Sequence, residues 1–381
     1  MGITSGKLQY VQVLRGIAAI FVLFFHSSLN SFHYFNINPV LSSVWDYGFM
    51  GVEFFFVLSG FIITYVHFSD LQAKAGWQRF LRKRFTRIYP VYWVVATIML
   101  VYYLLIKTDS QGITMEITGW SDLLYLLKCY FLFPLNADHK NFISVAWTLS
   151  YEIYFYLVFA CCIALGSGKS KWLCFGWIAL IMFKQYTHAG DFSPVLNFIL
   201  NPLILYFLTG CIVAWIVRTG KLRLNLFHFA TLLIFFSVLL FIYVRFFNSP
   251  LDEFRHDINY YYFFAVLFGT LLWAASNADL HLKLKSPPKW LLLTGDASYS
   301  IYLIHPSIIM FCYKISAYAL HHFSIKTTSF IANFIFSGTV IVSLLTGILL
   351  HVWIEKPLLA YLGRNKSRPL VLKPVAINNN Y

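Results

Sequence analysis

The sequence predicts an all-α polytopic membrane protein, with about ten transmembrane helices and both termini cytoplasmic. Three observations point there. Hydrophobic residues make up 59% of the 381 and charged residues only 12%, where a soluble chain carries about a quarter charged residues. Apolar runs of about 20 residues, the length that crosses a bilayer, recur along the whole chain. Lys and Arg gather in alternate connections between those runs, as membrane orientation requires.

Spans are expected near 10–30, 48–68, 89–106, 143–165, 172–188, 196–217, 226–247, 259–275, 297–319 and 329–353. The first run, Val11 to Leu29, lacks a small-residue cleavage site and holds Arg15 and His26, so it reads as a retained helix and not a signal peptide. The second opens GVEFFFVLSGF, in which Glu53 needs a partner and Gly51, Ser59 and Gly60 permit close packing. Before the third lies the basic segment QRFLRKRFTRIYPVYW. Arg84 and Arg87, three apart, share a face of a short helix there, and Pro90 is expected to break or kink the chain after it. The apolar segment 121–135 is too short to cross, so it should lie at the interface or re-enter.

The fourth span contains Glu152, the ninth carries Tyr299, Tyr302 and His305-Pro306, and the tenth closes on WIEKP with Glu355 at its cytoplasmic edge, where a basic loop is its expected partner. The fifth is short. With a cytoplasmic N-terminus, most of the 29 Lys and Arg residues face inward, while Asp46, Asp109, Glu116, Asp191, Asp252, Glu253 and Asp257 face outward.

Composition also excludes several classes. The net charge of +14 is spread over short loops, so no nucleic-acid partner is implied. The six cysteines sit in or beside apolar runs as ordinary filler, and no spacing resembles a metal site, the adjacent pair His321 and His322 included. No linker or internal repeat divides the chain, and the tail 358–381 is too short for a soluble catalytic domain.

Ionisable groups inside spans are costly and mark function by default. Arg15 and His26 are eleven residues apart, nearly three turns, and so share one helix face about 16 Å apart. Arg15 near the inner end can equally snorkel to lipid phosphates, and His26 can equally be a bonded bundle histidine. Glu152, His305, Tyr299 and Tyr302 together imply a polar cavity within the bundle.

The order and spacing of LRGIAAIFVLFFH (14–26), GVEFFFVLSGFII (51–63), RKRFTRIYPVYW (82–93), AWTLSYEIYFY (146–156), GDASYSIYLIHP (295–306) and WIEKP (353–357) resemble the acyltransferase-3 family of integral membrane O-acyltransferases. The resemblance runs from about Leu8 to Pro357, giving a membrane acyltransferase domain over 1–357 and a short polar cytoplasmic tail over 358–381. It implies transfer of an acyl group, most often acetyl, from cytoplasmic acyl-coenzyme A to a hydroxyl of a cell-surface or lipid-linked glycan. The protein is then expected in the plasma (bacterial inner) membrane among its lipids, with acyl-coenzyme A as substrate and no permanently bound cofactor or metal. Arg15, Arg84, Arg87 and Tyr299 are the expected donor-binding residues. His26 is the expected base, oriented by Glu152 or Glu53, with an acyl-histidine intermediate as a variant. His305 either orients the acceptor or binds a backbone carbonyl. The rival reading is a transporter of a glycan or lipid-linked intermediate.

Overall fold

A computed structural model of the protein describes residues 8–106, 119–135, 141–187, 193–220, scattered positions between 228 and 239, 258–282 and 284–364. Among them the regular structure is helical throughout, as expected. The principal helices are α1 (Gln9–Phe35), α2 (Met50–Val66), α3 (Trp77–Ile106), α4 (Trp120–Tyr130), α5 (Ala146–Leu165), α6 (Ser167–Tyr186), α7 (Ile204–Thr219), α8 (Ile258–His281), α9 (Lys289–Asp296), α10 (Ser298–His322) and α11 (Ser329–Leu350). A π-helical turn, His351–Glu355, joins α11 to α12 (Lys356–Arg364).

Eight helices among the described residues are long and apolar enough to cross a membrane. The protein is an integral, multi-pass membrane protein. The expected fifth span, 172–188, overlaps α6, a 20-residue helix that is not among those eight. The expected seventh, 226–247, falls almost wholly outside the described residues, as does the tail beyond Arg364.

α1 is the hub, packed against α2, α8, α9, α10 and α11. Membrane helices gain no hydrophobic advantage from touching one another, so close backbone approach must supply the packing energy. Two glycine contacts show this. A Cβ on Gly60 would strike the Phe207 carbonyl, and one on Gly210 would strike the Val57 carbonyl, so α2 and α7 cross backbone to backbone. Gly210→Leu is expected to separate them at a cost of roughly 3 kcal/mol or more. A lowered melting temperature in detergent would register it, and an unchanged one would refute the contact.

Two local expectations need correction. Pro90 does not break the chain: α3 runs as one 30-residue helix with Pro90 inside it, so Arg84 and Arg87 belong to the spanning helix itself. Proline forfeits only the backbone bond to the Thr86 carbonyl. The surrounding turns are anchored from the side by Tyr89 and Tyr92 hydroxyls and the Trp93 indole, which donate to the carbonyls of Phe131, Cys129 and Tyr130 at 3.0, 2.6 and 3.0 Å. Those same bonds explain α4. A short helix cannot hide its terminal carbonyls from lipid, and α3 satisfies them near its own midpoint, so α4 ends against the flank of α3.

The second correction concerns Glu355. It was expected to meet a basic loop. Instead it is buried (4% exposed) and accepts from Ser300 Oγ at 2.6 Å and His351 Nδ1 at 2.8 Å. The wider π-turn holds His351 and Glu355 on one face, locking α11 onto α10.

Candidate functional site

α1, α2, α3, α5 and α10 enclose a cavity of about 90 Å³, apolar over much of its wall but with Arg15, Arg84, Arg87, Glu152, Tyr156 and Tyr299 in its lining. Three helices separated by long stretches of sequence supply its three guanidinium groups and the Tyr299 ring. The volume admits a slender chain or a few waters but no nucleotide, so a bulky head group would stay at the mouth.

The arginines are poorly neutralised. Arg15 donates to Gln12 Oε1 at 3.1 Å, and Gln12 in turn donates to Asp296 Oδ1 at 2.7 Å. Arg84, only 8% exposed, lies over the rings of Phe80 and Tyr156 at 5.6 and 5.8 Å. The cavity carboxylate, Glu152, accepts from Ser59 Oγ at 3.1 Å and from the Tyr156 hydroxyl. Arg15 Nε, Arg84 Nε and Ser298 Oγ are buried without any hydrogen-bond partner, and all three residues line this cavity. A buried donor left unsatisfied costs about 1–3 kcal/mol. Three unpartnered donors on residues that line one cavity, with Arg87 beside them, make it a candidate anion site.

Tyr299 lines the cavity with its ring, while its hydroxyl donates to the Ile88 carbonyl at 2.9 Å and ties α10 to α3. Deeper in, the Tyr302 hydroxyl and Thr148 Oγ1 are hydrogen-bonded at 2.9 Å. Both line the cavity, and beyond Tyr302, its ring 5.7 Å from the Tyr302 ring, lies His305.

His26 and His305 meet directly. His26 Nδ1 is 3.3 Å from His305 Nε2, with the ring centroids 4.9 Å apart. His305 is fully buried. Its tautomer follows from its neighbour: Pro306 has no N–H, so the Tyr302 carbonyl loses its helical partner. His305 Nδ1 sits 2.7 Å from that carbonyl and must carry the hydrogen that satisfies it. His305 Nε2 is then a lone pair aimed at His26. It faces His26 Nδ1, which also lies 3.0 Å from the Val22 carbonyl. Two acceptors around one nitrogen assign the hydrogen to His26 Nδ1 and leave its Nε2 unprotonated.

The expected carboxylate partner of His26 is thus a histidine. Glu53, 6% exposed, accepts from the Tyr260 hydroxyl at 2.7 and 2.9 Å and ties α2 to α8. The sequence marks Ser59 only as a packing residue and does not single out Thr148, Tyr156 or Ser298, hydroxyl residues of apolar helices. Tyr156 carried a usable signal, one turn after Glu152, whereas Ser59 and Thr148 are visible only once α2 and α5 are packed together. Among the described residues no cluster of three or more His, Cys, Asp or Glu forms a metal site.

The model of a known family, described as an acyltransferase domain, matches residues 8–353. Similar curated proteins include the exopolysaccharide production protein ExoZ of Rhizobium meliloti, 28% identical over 346 residues, covering 88% of this chain and 94% of that protein. The O-acetyltransferase OatA of Staphylococcus aureus is 26% identical over 328 residues, covering 78% of this chain and 50% of that protein. The acyltransferase MdmB of Streptomyces mycarofaciens is 25% identical over 394 residues, covering 97% of this chain and 95% of that protein. No solved structure matches.

Proposed function

The chain belongs to the acyltransferase family whose domain spans residues 8–353, and on that premise we propose that it moves an acetyl group from acetyl-coenzyme A to a hydroxyl of a cell-surface or lipid-linked glycan. The similar proteins named for exopolysaccharide production and O-acetyl transfer support a glycan acceptor. The observation that carries the reading is the arginine cavity leading toward the histidine pair. Arg15, Arg84 and Arg87 supply cationic donors for the coenzyme's phosphates at the basic end, where guanidinium groups grip phosphate best. The cavity is wide enough only for the pantetheine arm, which carries the thioester inward.

At the far end His26 Nε2 is the base. It takes the proton of the acceptor hydroxyl as that oxygen attacks the thioester carbonyl. The new C–O bond forms, the C–S bond breaks, and the coenzyme leaves as its thiolate, which recovers the proton from His26. The imidazolium formed in between is held by its Nδ1–H, bonded to His305 Nε2 and the Val22 carbonyl. His305 performs for His26 the orienting task that a carboxylate performs in a hydrolytic triad. Transfer requires the Tyr302–Thr148 contact to part, because it stands between the arginines and the histidines.

Glu152 sits beside the arm's path, and its bonds to Ser59 and Tyr156 make it a positioning group for the cavity wall. Pro306→Ala tests the tautomer argument. The new N–H would take the Tyr302 carbonyl and release His305, so turnover is expected to fall about tenfold, the worth of one hydrogen bond. Helix stability should rise with the proline gone. Unchanged turnover in a well-expressed variant would remove His305 from its orienting role.

The reaction itself is tested with membranes supplied with radiolabelled acetyl-coenzyme A. Alkali-labile label in the surface glycan is expected with the protein and not without it. Absence of label with this and other acyl donors would overturn the acyltransferase reading for this chain.

A further inference from the structure

A second cavity, about 440 Å³, lies along α5 from the arginine cavity, toward the helix's C-terminal end and on a neighbouring face. The two faces of that helix divide the work: Thr148, Glu152 and Tyr156 look into the first cavity, while Phe155, Val158, Phe159 and Cys162 look into the second. α2, α6 and α7 close it with Thr64, Trp177, Leu208 and Trp215. Its walls are mostly apolar, with Thr64 and Ser170 as buried hydroxyls, and its exposed polar residues are Gln72, Ser167 and Lys171 at one rim.

That rim is basic. The Lys74 side chain lies against Gly166, beside Ser167. Arg218, at the end of α7, lies over Tyr65 and Phe68 at 5.1 and 5.5 Å, and Phe68 is itself a wall of the cavity. Lys171 is exposed. The acid on the same stretch, Asp70, is engaged by His67 at 2.7 Å and Arg79 at 3.3 Å, so it does not cancel these charges. An apolar slot with a single cationic rim, opening at the level where a helix bundle leaves the bilayer, has the polarity pattern of an amphiphile with an anionic head.

We propose that this cavity holds an acyl chain of an anionic phospholipid, with the lipid phosphate at Lys171. The apolar walls take up the chain by van der Waals packing, because a lipid tail is already out of water. The rim supplies headgroup selectivity, since basic pockets at the membrane surface prefer anionic lipids. The bound chain then packs against the face of α5 next to the one that carries Glu152 and Tyr156.

The test needs no acyl transfer. The full-length protein is purified in mild detergent, given an equimolar mixture of phosphatidylglycerol and phosphatidylcholine, and examined by native mass spectrometry. Retention of phosphatidylglycerol is expected to exceed that of phosphatidylcholine by about fivefold for each rim cation in contact. Lys171→Glu, a surface change, should abolish the preference, and Ile212→Trp, which fills the slot from α7, should reduce bound lipid of both kinds. Equal retention of both lipids by wild type, or a preference untouched by Lys171→Glu, would overturn the proposal. So would displacement of phosphatidylglycerol by palmitoyl-coenzyme A, which would assign the slot to a long-chain donor.

Discussion

His26→Ala is expected to lower acyl transfer about 10²–10⁴-fold, the usual contribution of a positioned general base, while leaving membrane insertion intact. The side chain is partly buried at the far end of α1, and its ring touches His305 rather than the arginine cavity. Its loss empties a polar niche without removing a helix–helix backbone contact. The measurement is initial-rate transfer from labelled acetyl-coenzyme A, normalised to protein in the membrane. Rates within a few-fold of wild type would end the base assignment. His26→Gln makes the comparison sharper, because the amide can keep a hydrogen bond yet cannot take up the proton. Equal loss in His26→Ala and His26→Gln is therefore expected.

The second large effect concerns the donor. Arg15→Ala and Arg84→Ala should each raise the concentration of acetyl-coenzyme A needed for half-maximal rate by roughly 10–100-fold, from charge-assisted bonds of about 1.5–3 kcal/mol. Arg15→Lys should recover only part, because an ammonium keeps the charge but not the planar fork. Removing either arginine also removes one of the cavity's unsatisfied buried donors, so the variants are expected to be no less stable than wild type. That pairing of weaker donor use with undiminished melting temperature separates a ligand-binding arginine from a structural one. An unchanged donor dependence would dissociate the cavity from the coenzyme.

Much of the architecture was legible in the residues. Spanning segments are readable because lipid tolerates no unsatisfied backbone, so each crossing must be a long apolar helix. Helix rise and repeat alone put Arg15 and His26 on one face of α1. Ionisable residues stand out in such helices, and the arginines, Glu152, Glu53 and His305 were all conspicuous for that reason. Local chemistry was less faithful. Proline in RIYPVYW reads as a break or kink, yet α3 runs unbroken through it, its turns bonded to the segment at the end of α4 by Tyr89, Tyr92 and Trp93.

The sequence by itself determined the all-helical membrane class, the placement of most spans and the set of buried ionisable groups, because cost in lipid is a property of each residue and its neighbours in the chain. Only the tertiary structure decided which of those groups meet. It gave Glu53 to Tyr260, Glu355 to Ser300 and His351, and His305 to His26. Those pairings join residues as far as 279 positions apart, and helix rotation and crossing depth select among several chemically equivalent partners. Helix crossings, set by close contacts such as Gly60 and Gly210, fix those rotations, and no periodicity within a single helix records them.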